Sequence, residues 1–366
     1  MKVAIVHDLL LRLGGAERVV LALRQIFPQA PIYTLLYDRQ KMAPWFDNLD
    51  VRTSWLQKIP AAWRRNHKYL LSLMPLAIEG FDLGDFDLVI SSSTAFAKGV
   101  ITRAGTKHLC YCHGPARFLW EGSLIYLQNQ ELGWCRRQLA RRAVHKLRLW
   151  DRSSARRVDH FVANSQTTQA RLQKYYRRQA EVIYPPVPDW SVSANFLRPP
   201  QKDYFLIVAQ LARHKNIDLA VEAFNKLELP LVIIGEGPEK KRLQKIAKPN
   251  IQFLGFLPDQ IVAGYLQNAR AFIFPGEDDL GIAPVQAMRA GKPVLALRAG
   301  GATETVLEGV AGEFFDDPVP EVLADGVRRL LEKKYDPDTI KASVGRFSVA
   351  KFEREMKNLV EKIMNE

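Results

Sequence analysis

A chain of 366 residues, 47% of them hydrophobic, is long enough to bury two separate cores, which favours two domains over one. Its formal net charge of +13 indicates an anionic partner, such as a phosphorylated substrate, an acidic membrane surface or nucleic acid. The sequence has no apolar run of roughly 18 residues, no signal-peptide cleavage site and no disulfide or zinc spacing among its three cysteines, so we expect a cytoplasmic protein.

The first half of the chain predicts alternating strands and helices. Residues 2–7 form an apolar run, Gly14 and Gly15 follow in a loop, and residues 16–27 carry apolar side chains at helical spacing. Such alternation favours an α/β domain whose doubly wound parallel sheet is covered on both faces. Further strands are predicted at residues 86–91, 108–112 and 160–163, with a helix at 165–177.

A proline-rich segment separates this series from a second one. Residues 184–203 hold five prolines without periodicity, which is typical of a linker. We therefore predict an N-terminal domain at 1–185, a linker at 186–203 and a C-terminal domain at 204–345, followed by a helical segment at 346–366. Strands of the C-terminal domain are predicted at residues 204–209, 229–235, 251–254, 271–275 and 293–297.

An acidic loop follows one of these strands. Glu277 and Asp278 lie in it, and Gly281 closes it. Pro284 suits the first position of a helix at 284–290, since a proline there loses no hydrogen bond. The free amides at this helix start, around Ala283 to Gln286, can bind an anion. The alternative is a solvated acidic loop before an ordinary core helix.

Three further positions carry groups that suit a site at the carboxyl ends of parallel strands. His113 follows a predicted strand, and its neutral imidazole can bond a hydroxyl group. Lys215 follows the first strand of the C-terminal domain, and Gly235 begins a GEGP turn. A core histidine, a solvated lysine and a plain turn are the respective alternatives. We interpret His7 and Asp8 as a local hydrogen-bonded pair.

Two basic clusters contain interleaved aromatic and aliphatic residues. Basic helices with exposed aromatic residues are typical of membrane-surface elements. No nucleic-acid-binding motif is present, so we expect an anionic membrane surface and no nucleic acid as partner. The alternative is that the apolar side chains face the core while the arginines face water. The candidate surface residues are Trp63, Arg64, Arg65, Lys68, Arg141 and Arg142.

The order of these motifs resembles the retaining GT-B glycosyltransferases of family 4. The resemblance rests on GGAE (residues 14–17), CYCHGPARFLW (110–120), VANSQ (162–166) and the acidic loop with its helix. It implies a GT-B fold of two facing Rossmann-like domains, with the helix at 346–366 packing back on the first. The first domain would bind the acceptor and the second the nucleotide sugar.

The resemblance also implies a reaction. Members transfer a hexose from a nucleoside-diphosphate sugar, with retention of configuration and without a metal or other cofactor. The YCHxPxR-like segment is most similar to bacterial mannosyltransferases of surface-polysaccharide or glycolipid pathways, which favours mannose and GDP-mannose. We expect a lipid-linked saccharide or polyprenyl acceptor at the inner face of the cell membrane.

Residue roles follow from matching the family's motifs. His113 and Asp278 would lie at the transferred sugar, and Lys215 would bind the diphosphate as its bonds break. We therefore take these three as catalytic candidates. The remaining donor-binding candidates are Gly14, Gly15, Gln210, Arg213, Gly235, Glu277, Gly281, Ile282, Ala283 and Gln286.

Three of the matched positions depart from the family pattern. Asp278 and Gln286 stand where the family has two glutamates separated by seven residues, and Gln210 stands where it has an arginine. Arg213 is a candidate to replace that arginine, and Glu277 to extend the reach of Asp278. These departures leave open a non-catalytic GT-B scaffold or binding subunit at the membrane.

Overall fold

The computed structural model of the chain describes residues 1–64, 67–123, 133–188 and 203–366, with the backbone alone at 62, 67, 68 and 136. The chain divides into two compact units. The first comprises Met1–Pro186 together with Val349–Glu366, and the second comprises Val187–Ser348. Most of the predicted linker lies outside the described residues.

The described strands of the first unit form one parallel sheet. They are β1 (Val3–Leu10), β2 (Ile32–Tyr37), β3 (Val51–Thr53), β4 (Leu88–Ser93), β5 (Lys107–Cys112), β6 (His160–Ala163) and β7 (Glu181–Val182). Their order across the sheet is β3-β2-β1-β4-β5-β6-β7. The direction of winding reverses between β1 and β4, and open parallel sheets bind ligands beyond the carboxyl ends of strands at such a point.

Helices cover both faces of this sheet. Consecutive side chains of a strand point to opposite faces, so Val3 and Ile5 enter one core while Ala4 and Val6 enter the other. The α-helices are α1 (Gly15–Ile26), α2 (Arg39–Phe46), α3 (Ala61–Arg64), α4 (Met74–Glu79), α5 (Trp134–Ser154) and α6 (Gln166–Tyr176). The short 3₁₀ helices are Trp55–Lys58, His67–Leu70, Ala97–Gly99 and Ala155–Arg157.

The described strands of the second unit also form a parallel sheet. They are β8 (Phe205–Val208), β9 (Leu231–Ile234), β10 (Ile251–Gly255), β11 (Ala271–Phe274), β12 (Val294–Leu297) and β13 (Gly312–Phe315). Their order is β10-β9-β8-β11-β12-β13, with the reversal between β8 and β11. The second crevice therefore lies between the loops that follow these two strands.

The helices of the second unit alternate with its strands. They are α7 (Ile217–Leu227), α8 (Lys240–Ile246), α9 (Asp259–Asn268), α10 (Ile282–Arg289), α11 (Ala302–Thr305), α12 (Pro320–Glu332) and α13 (Pro337–Ser343), with 3₁₀ helices at Arg213–Lys215 and Gly345–Phe347. Apolar side chains of α7 and α12 share one core with β8, β9 and β11.

The last helix, α14 (Val349–Asn365), belongs to the first unit. Its apolar side chains recur at helical spacing and are buried in the same core as α1: Phe352, Met356, Leu359, Val360 and Ile363. The Phe352 ring lies 5.8 Å from the ring of Tyr111 on β5. This return of the chain confirms the packing that the resemblance implied.

The predicted start of α10 is wrong by two residues. The helix begins at Ile282 rather than Pro284, because Gly281 adopts a left-handed conformation, with φ of 81°, and caps the helix there. Pro284 occupies the third helical position instead, where a backbone N–H would also lack an intrahelical acceptor. The proline is therefore tolerated in the first turn but does not mark the first residue of the helix.

Candidate functional site

The crevice of the second unit brings together two of the predicted catalytic side chains. Lys215 lies in the loop after β8, and Asp278 lies in the loop after β11. The ammonium of Lys215 is 2.5 Å and 2.6 Å from the two carboxylate oxygens of Asp278. Both side chains are partly buried, with 17% and 23% of their surface exposed. This ion pair spans the point where the sheet reverses its winding.

Close backbone packing holds the Asp278 loop in place. Gly301 donates its N–H to the Asp278 carbonyl at 2.9 Å. Gly300 has a φ of 56°, and a Cβ there would lie 2.3 Å from the Asp278 carbonyl oxygen. On the other side, the amide of Asn216 donates to the Pro275 carbonyl at 3.3 Å. Glycine at 300 is therefore required by both conformation and space.

Four other donor candidates lie in the loops that follow β8, β9 and β11. Gln210 lies in the loop after β8 and is half-buried, as is Glu277 beside Asp278. Arg213 is exposed, and its guanidinium lies 3.6 Å from Glu239 on the side toward α8. Gly235 follows β9 directly, and a Cβ there would lie 1.9 Å from the Ala209 carbonyl oxygen. Gly235 thus permits the loops after β8 and β9 to pack closely.

The candidates at the start of α10 lie in two places. Gly281 caps the helix, and Ile282 and Ala283 form its half-buried first turn. Gln286 lies one turn further along and lines a small cavity of about 80 Å³ with residues of α9, among them Ala263 and Leu266. A nucleotide that reached both Lys215 and Gln286 would therefore lie along the first turns of α10.

The crevice of the first unit gathers polar side chains at the ends of β1, β4 and β5. Nε2 of His113 lies 2.8 Å from the hydroxyl of Ser92. Nδ1 of His7 lies 3.1 Å from the same hydroxyl and 3.0 Å from the Ser92 carbonyl oxygen. Nε2 of His7 faces Glu17 at 3.5 Å. His113 therefore sits at one end of a chain of four side chains.

The pKa values of the two histidines in this cluster shift in opposite directions. Burial would lower the pKa of His7, but the hydrogen bond and charge of Glu17 outweigh it and raise that pKa above its ordinary value. Burial, reinforced by the nearby charge of His7, lowers the pKa of His113 to about 3. His113 is therefore neutral at physiological pH.

The interpretation of His7 and Asp8 as a mutually bonded pair is wrong. Adjacent residues of a strand point to opposite faces. The Asp8 carboxylate accepts hydrogen bonds from the backbone N–H groups of residues 94–97, at 2.5 to 3.0 Å. It therefore holds the loop after β4, while His7 turns toward Ser92 and Glu17.

The glycine loop of the first unit donates a backbone hydrogen bond to a side chain of the helix that follows it. Gly14 caps α1 and Gly15 begins it. The N–H of Gly14 donates to the Glu17 carboxylate at 2.8 Å, as in a capping box. Glu17 thus occupies the amide of Gly14, one of the two glycines predicted to bind the donor. Neither Glu17 nor Ser92 was predicted, although the GGAE spacing is a recognisable capping signal.

The two basic clusters expose some of their apolar side chains. Trp63 is 56% exposed and packs edge-on against Tyr69, while the guanidinium of Arg64 donates to the Ile59 carbonyl at 2.8 Å. Arg65 lies outside the described residues, as does the side chain of Lys68. On α5, Arg141 and Arg142 are exposed.

Helix α5 has an exposed apolar side as well as a buried one. Trp134, Leu139 and Leu149 are at least 59% exposed, whereas Val144 and Leu147 are buried. The view that all its apolar residues face the core is therefore wrong for this helix. Among the described residues, no helix has the length and apolar character to cross a membrane.

No group of three or more His, Cys, Asp or Glu side chains within the described ranges is placed to hold a metal ion.

Comparison with family models matches both units. The model described as Glycosyltransferase Family 4 matches residues 13–189, and the model described as Glycosyl transferases group 1 matches residues 189–343. The chain belongs to family 4 of the GT-B glycosyltransferases. In this family 4 chain, the first matched segment contains Glu17, Ser92 and His113, and the second contains Lys215 and Asp278.

Several curated relatives are named as mannosyltransferases. A GDP-mannose-dependent alpha-mannosyltransferase of Corynebacterium glutamicum is 33% identical over 110 residues, which is 30% of this chain and 26% of that protein. The human alpha-1,3/1,6-mannosyltransferase ALG2 is 24% identical over 92% of this chain and 88% of its own length. The match thus spans about a quarter of the bacterial relative and most of the human one.

Solved structures support the same fold. HepE of Anabaena, in complex with UDP and glucose, has a TM-score of 0.69 and 18% identity, and the match covers 99% of both chains. A sucrose-phosphate synthase of Thermosynechococcus elongatus has a TM-score of 0.70 and 15% identity, again over 99% of both chains. Together with the two parallel sheets, these likenesses confirm the predicted GT-B fold.

Proposed function

We propose that this family 4 protein transfers a hexose from a nucleoside-diphosphate sugar to a lipid-linked saccharide or polyprenyl acceptor. Mannose is the favoured sugar and GDP-mannose the favoured donor. The transfer retains the configuration of the sugar and uses no metal. It takes place at the cytoplasmic face of the membrane, where the protein is peripherally bound.

The observation that carries this proposal is the pair formed by Lys215 and Asp278. When the bond between the sugar and the nucleoside diphosphate breaks, negative charge grows on the departing diphosphate in the transition state. A cation in the crevice therefore stabilises the transition state more than it stabilises the bound donor. The carboxylate beside it can accept hydrogen bonds from sugar hydroxyls. The ammonium of Lys215 can therefore bind the diphosphate, and the Asp278 carboxylate, 2.5 Å from it, can bind the sugar.

The choice of mannose rests on the relatives. The Corynebacterium glutamicum protein is named for GDP-mannose dependence, and ALG2 is named as a mannosyltransferase. HepE was solved with UDP and glucose. UDP-sugars are accordingly the comparison that the donor experiment must include.

Calorimetric titration of the full chain with GDP, UDP, ADP and their sugar conjugates, with and without added divalent metal, tests the donor. We expect micromolar binding of GDP and GDP-mannose that metal does not change. Lys215→Met should weaken it about 10- to 100-fold, whereas the exposed lysine variant Lys226→Met in the same unit should leave it unchanged. Absence of binding by every nucleotide would instead favour a non-catalytic scaffold, the function that Gln210 and Gln286 left open.

A transfer assay tests the retention of configuration and the identity of the acceptor. Incubation with GDP-mannose and polyprenyl-diphosphate-linked saccharides should give a product whose anomeric configuration, read by NMR, equals that of the donor. An inverted product would refute retention. Turnover of UDP-glucose alone would refute the mannose assignment while leaving hexosyl transfer intact.

The membrane assignment rests on the exposed side of α5 and on Trp63. Arginine and lysine side chains near an anionic surface contribute about 1 kcal/mol each, and exposed aromatic and aliphatic side chains insert at the interface. On α5 the exposed Arg141 and Arg142 are interleaved with Leu139 and Leu149. A cationic helix side that also exposes apolar groups fits such a surface.

Co-sedimentation with phosphatidylcholine vesicles, with and without phosphatidylglycerol, tests the surface. Loss of Arg141 and Arg142 together should weaken binding to anionic vesicles about 30-fold. Trp63→Ser should weaken it further. Replacing two exposed basic residues of the second unit, Arg328 and Lys341, is the charge-matched control. Equal weakening by the control would refute a membrane surface at α5.

A further inference from the structure

In the crevice of the first unit, four side chains are joined by one ion pair and two hydrogen bonds. This chain of contacts runs from Glu17 through His7 and Ser92 to His113, with successive distances of 3.5, 3.1 and 2.8 Å. His7 and Ser92 are buried, whereas His113 is partly exposed. The chain thus joins two partly buried side chains, Glu17 and His113, through the buried His7 and Ser92.

The partners of His7 fix where its protons are. Nδ1 lies 3.0 Å from the Ser92 carbonyl oxygen, which can only accept a hydrogen bond. Nε2 faces the Glu17 carboxylate, which when ionised also only accepts. Both nitrogens of His7 therefore carry protons, and His7 is an imidazolium paired with Glu17.

The hydroxyl of Ser92 accepts from Nδ1 of His7. Within the described residues, Nε2 of His113, at 2.8 Å, is the one acceptor recorded for the proton of this buried hydroxyl, so the hydroxyl donates to it. A nitrogen that accepts a hydrogen bond carries no proton. Neutral His113 must therefore carry its proton on Nδ1, since one ring nitrogen's bond sets the tautomer of the other.

We propose that Glu17, His7 and Ser92 are positioning residues that fix His113 as a hydrogen-bond donor through Nδ1 to a substrate oxygen. This inference rests on the proposed transfer function. Among the described residues, the structure records no hydrogen-bond partner for His113 Nδ1. In this state His113 donates to a sugar hydroxyl or ring oxygen and does not serve as a general base.

The neighbouring titratable groups do not interrupt this chain. The Asp8 carboxylate accepts hydrogen bonds from the N–H groups of residues 94–97 and, at 2.7 Å, from the Thr94 hydroxyl. The Tyr111 ring lies 5.2 Å from that of His113, but its hydroxyl donates to the Ile183 carbonyl at 2.8 Å. Glu17 is therefore the acid that balances His7.

NMR of the full chain labelled with ¹⁵N-histidine tests the protonation states directly. Multiple-bond correlation spectra distinguish the two neutral tautomers and the imidazolium, and His113→Gln identifies the His113 signals among those of the seven histidines. At pH 7 we expect His113 as the Nδ1–H tautomer and His7 as an imidazolium. An Nε2–H tautomer or an imidazolium at His113 would overturn the proposal.

Two neighbouring serines provide matched variants. Ser92→Ala removes the hydroxyl between the histidines, so the His113 signals should change to a mixture of tautomers. Ser91→Ala removes an equivalent hydroxyl, which lies 2.8 Å from Nε2 of His108, and should leave His113 unchanged. An unchanged His113 in Ser92→Ala, or the same change in both variants, would contradict the chain.

The kinetic consequence separates this inference from the proposed function. Ser92→Ala should lower kcat/KM about 3- to 10-fold, as expected for a misdirected neutral hydrogen bond, without changing the Kd for GDP. Unaltered kcat/KM would mean that the fixed tautomer has no role in transfer. If the chain transfers no sugar, the proposed function fails, yet the NMR experiment still decides whether His113 is a donor.

Discussion

Asp278→Asn should change nucleotide binding and sugar transfer in opposite directions. In the structure, Asp278 holds the Lys215 ammonium through both carboxylate oxygens, at 2.5 Å and 2.6 Å. A bound diphosphate competes for that ammonium. Neutral asparagine releases the lysine to the diphosphate, but it also removes the charged acceptor that we propose for the sugar hydroxyls.

The size of each effect follows from the exposure of the pair. Ion pairs with partial exposure contribute up to about 1 kcal/mol, so its loss should strengthen GDP binding by up to about fivefold. A charge-assisted hydrogen bond is about twice as strong as a neutral one, and the difference of about 1.4 kcal/mol corresponds to a tenfold lower kcat/KM for GDP-mannose.

Calorimetry with GDP and initial rates with GDP-mannose measure the two effects separately. Asp325→Asn, an exposed acid of the same unit, controls for the change in net charge. Lys215→Met should weaken GDP binding by about 10- to 100-fold, because it removes a charged donor to the diphosphate. Weaker GDP binding in Asp278→Asn would refute the competition, and an unchanged transfer rate would refute the role at the sugar.

Three further predictions concern stability. Lys98→Met leaves its buried carboxylate partner uncompensated and should cost about 3 to 5 kcal/mol in urea unfolding, whereas the exposed ion-pair variant Lys226→Met should cost under about 1 kcal/mol. Burial lowers the pKa of His108 from 6.5 to about 4, so the unfolded state gains its proton first as the pH falls. Stability should drop by up to about 3 kcal/mol between pH 6.5 and 4, and His108→Gln should lack this portion of the drop. Gly300→Ala should cost more than Gly309→Ala in the same unfolding assay, since both have positive φ but only at 300 would the Cβ meet backbone, at 2.3 Å.

Much of the fold was predictable because buried parallel strands are apolar runs and their helices carry apolar side chains every three or four residues. The strand at 271–274 and the C-terminal helix follow directly from these patterns. The strands Ile32–Tyr37 and Gly312–Phe315 were not predicted. Short apolar runs of four to six residues do not by themselves distinguish a strand from part of a helix.

The candidate residues of the site could be named from the sequence, but the contacts between them could not. Lys215 and Asp278 are 63 positions apart, and they meet only because β8 and β11 are neighbours in the sheet. Likewise, Ser92 joins His7 to His113 because β1, β4 and β5 lie side by side. Strand order is a property of the folded sheet, so a pattern read along one strand does not reveal which loops share a crevice.

Of the three departures from the family pattern, at positions 210, 278 and 286, two change individual charges of the crevice. Glutamine at 210 in place of arginine removes one positive charge, and glutamine at 286 in place of glutamate removes one negative charge. Aspartate at 278 keeps the charge of the glutamate it replaces, and in the structure it reaches the ammonium of Lys215. The summed charge at the three positions therefore equals that of the family pattern. A crevice of unchanged total charge that keeps its lysine still attracts a diphosphate, which favours altered donor contacts over a lost donor site.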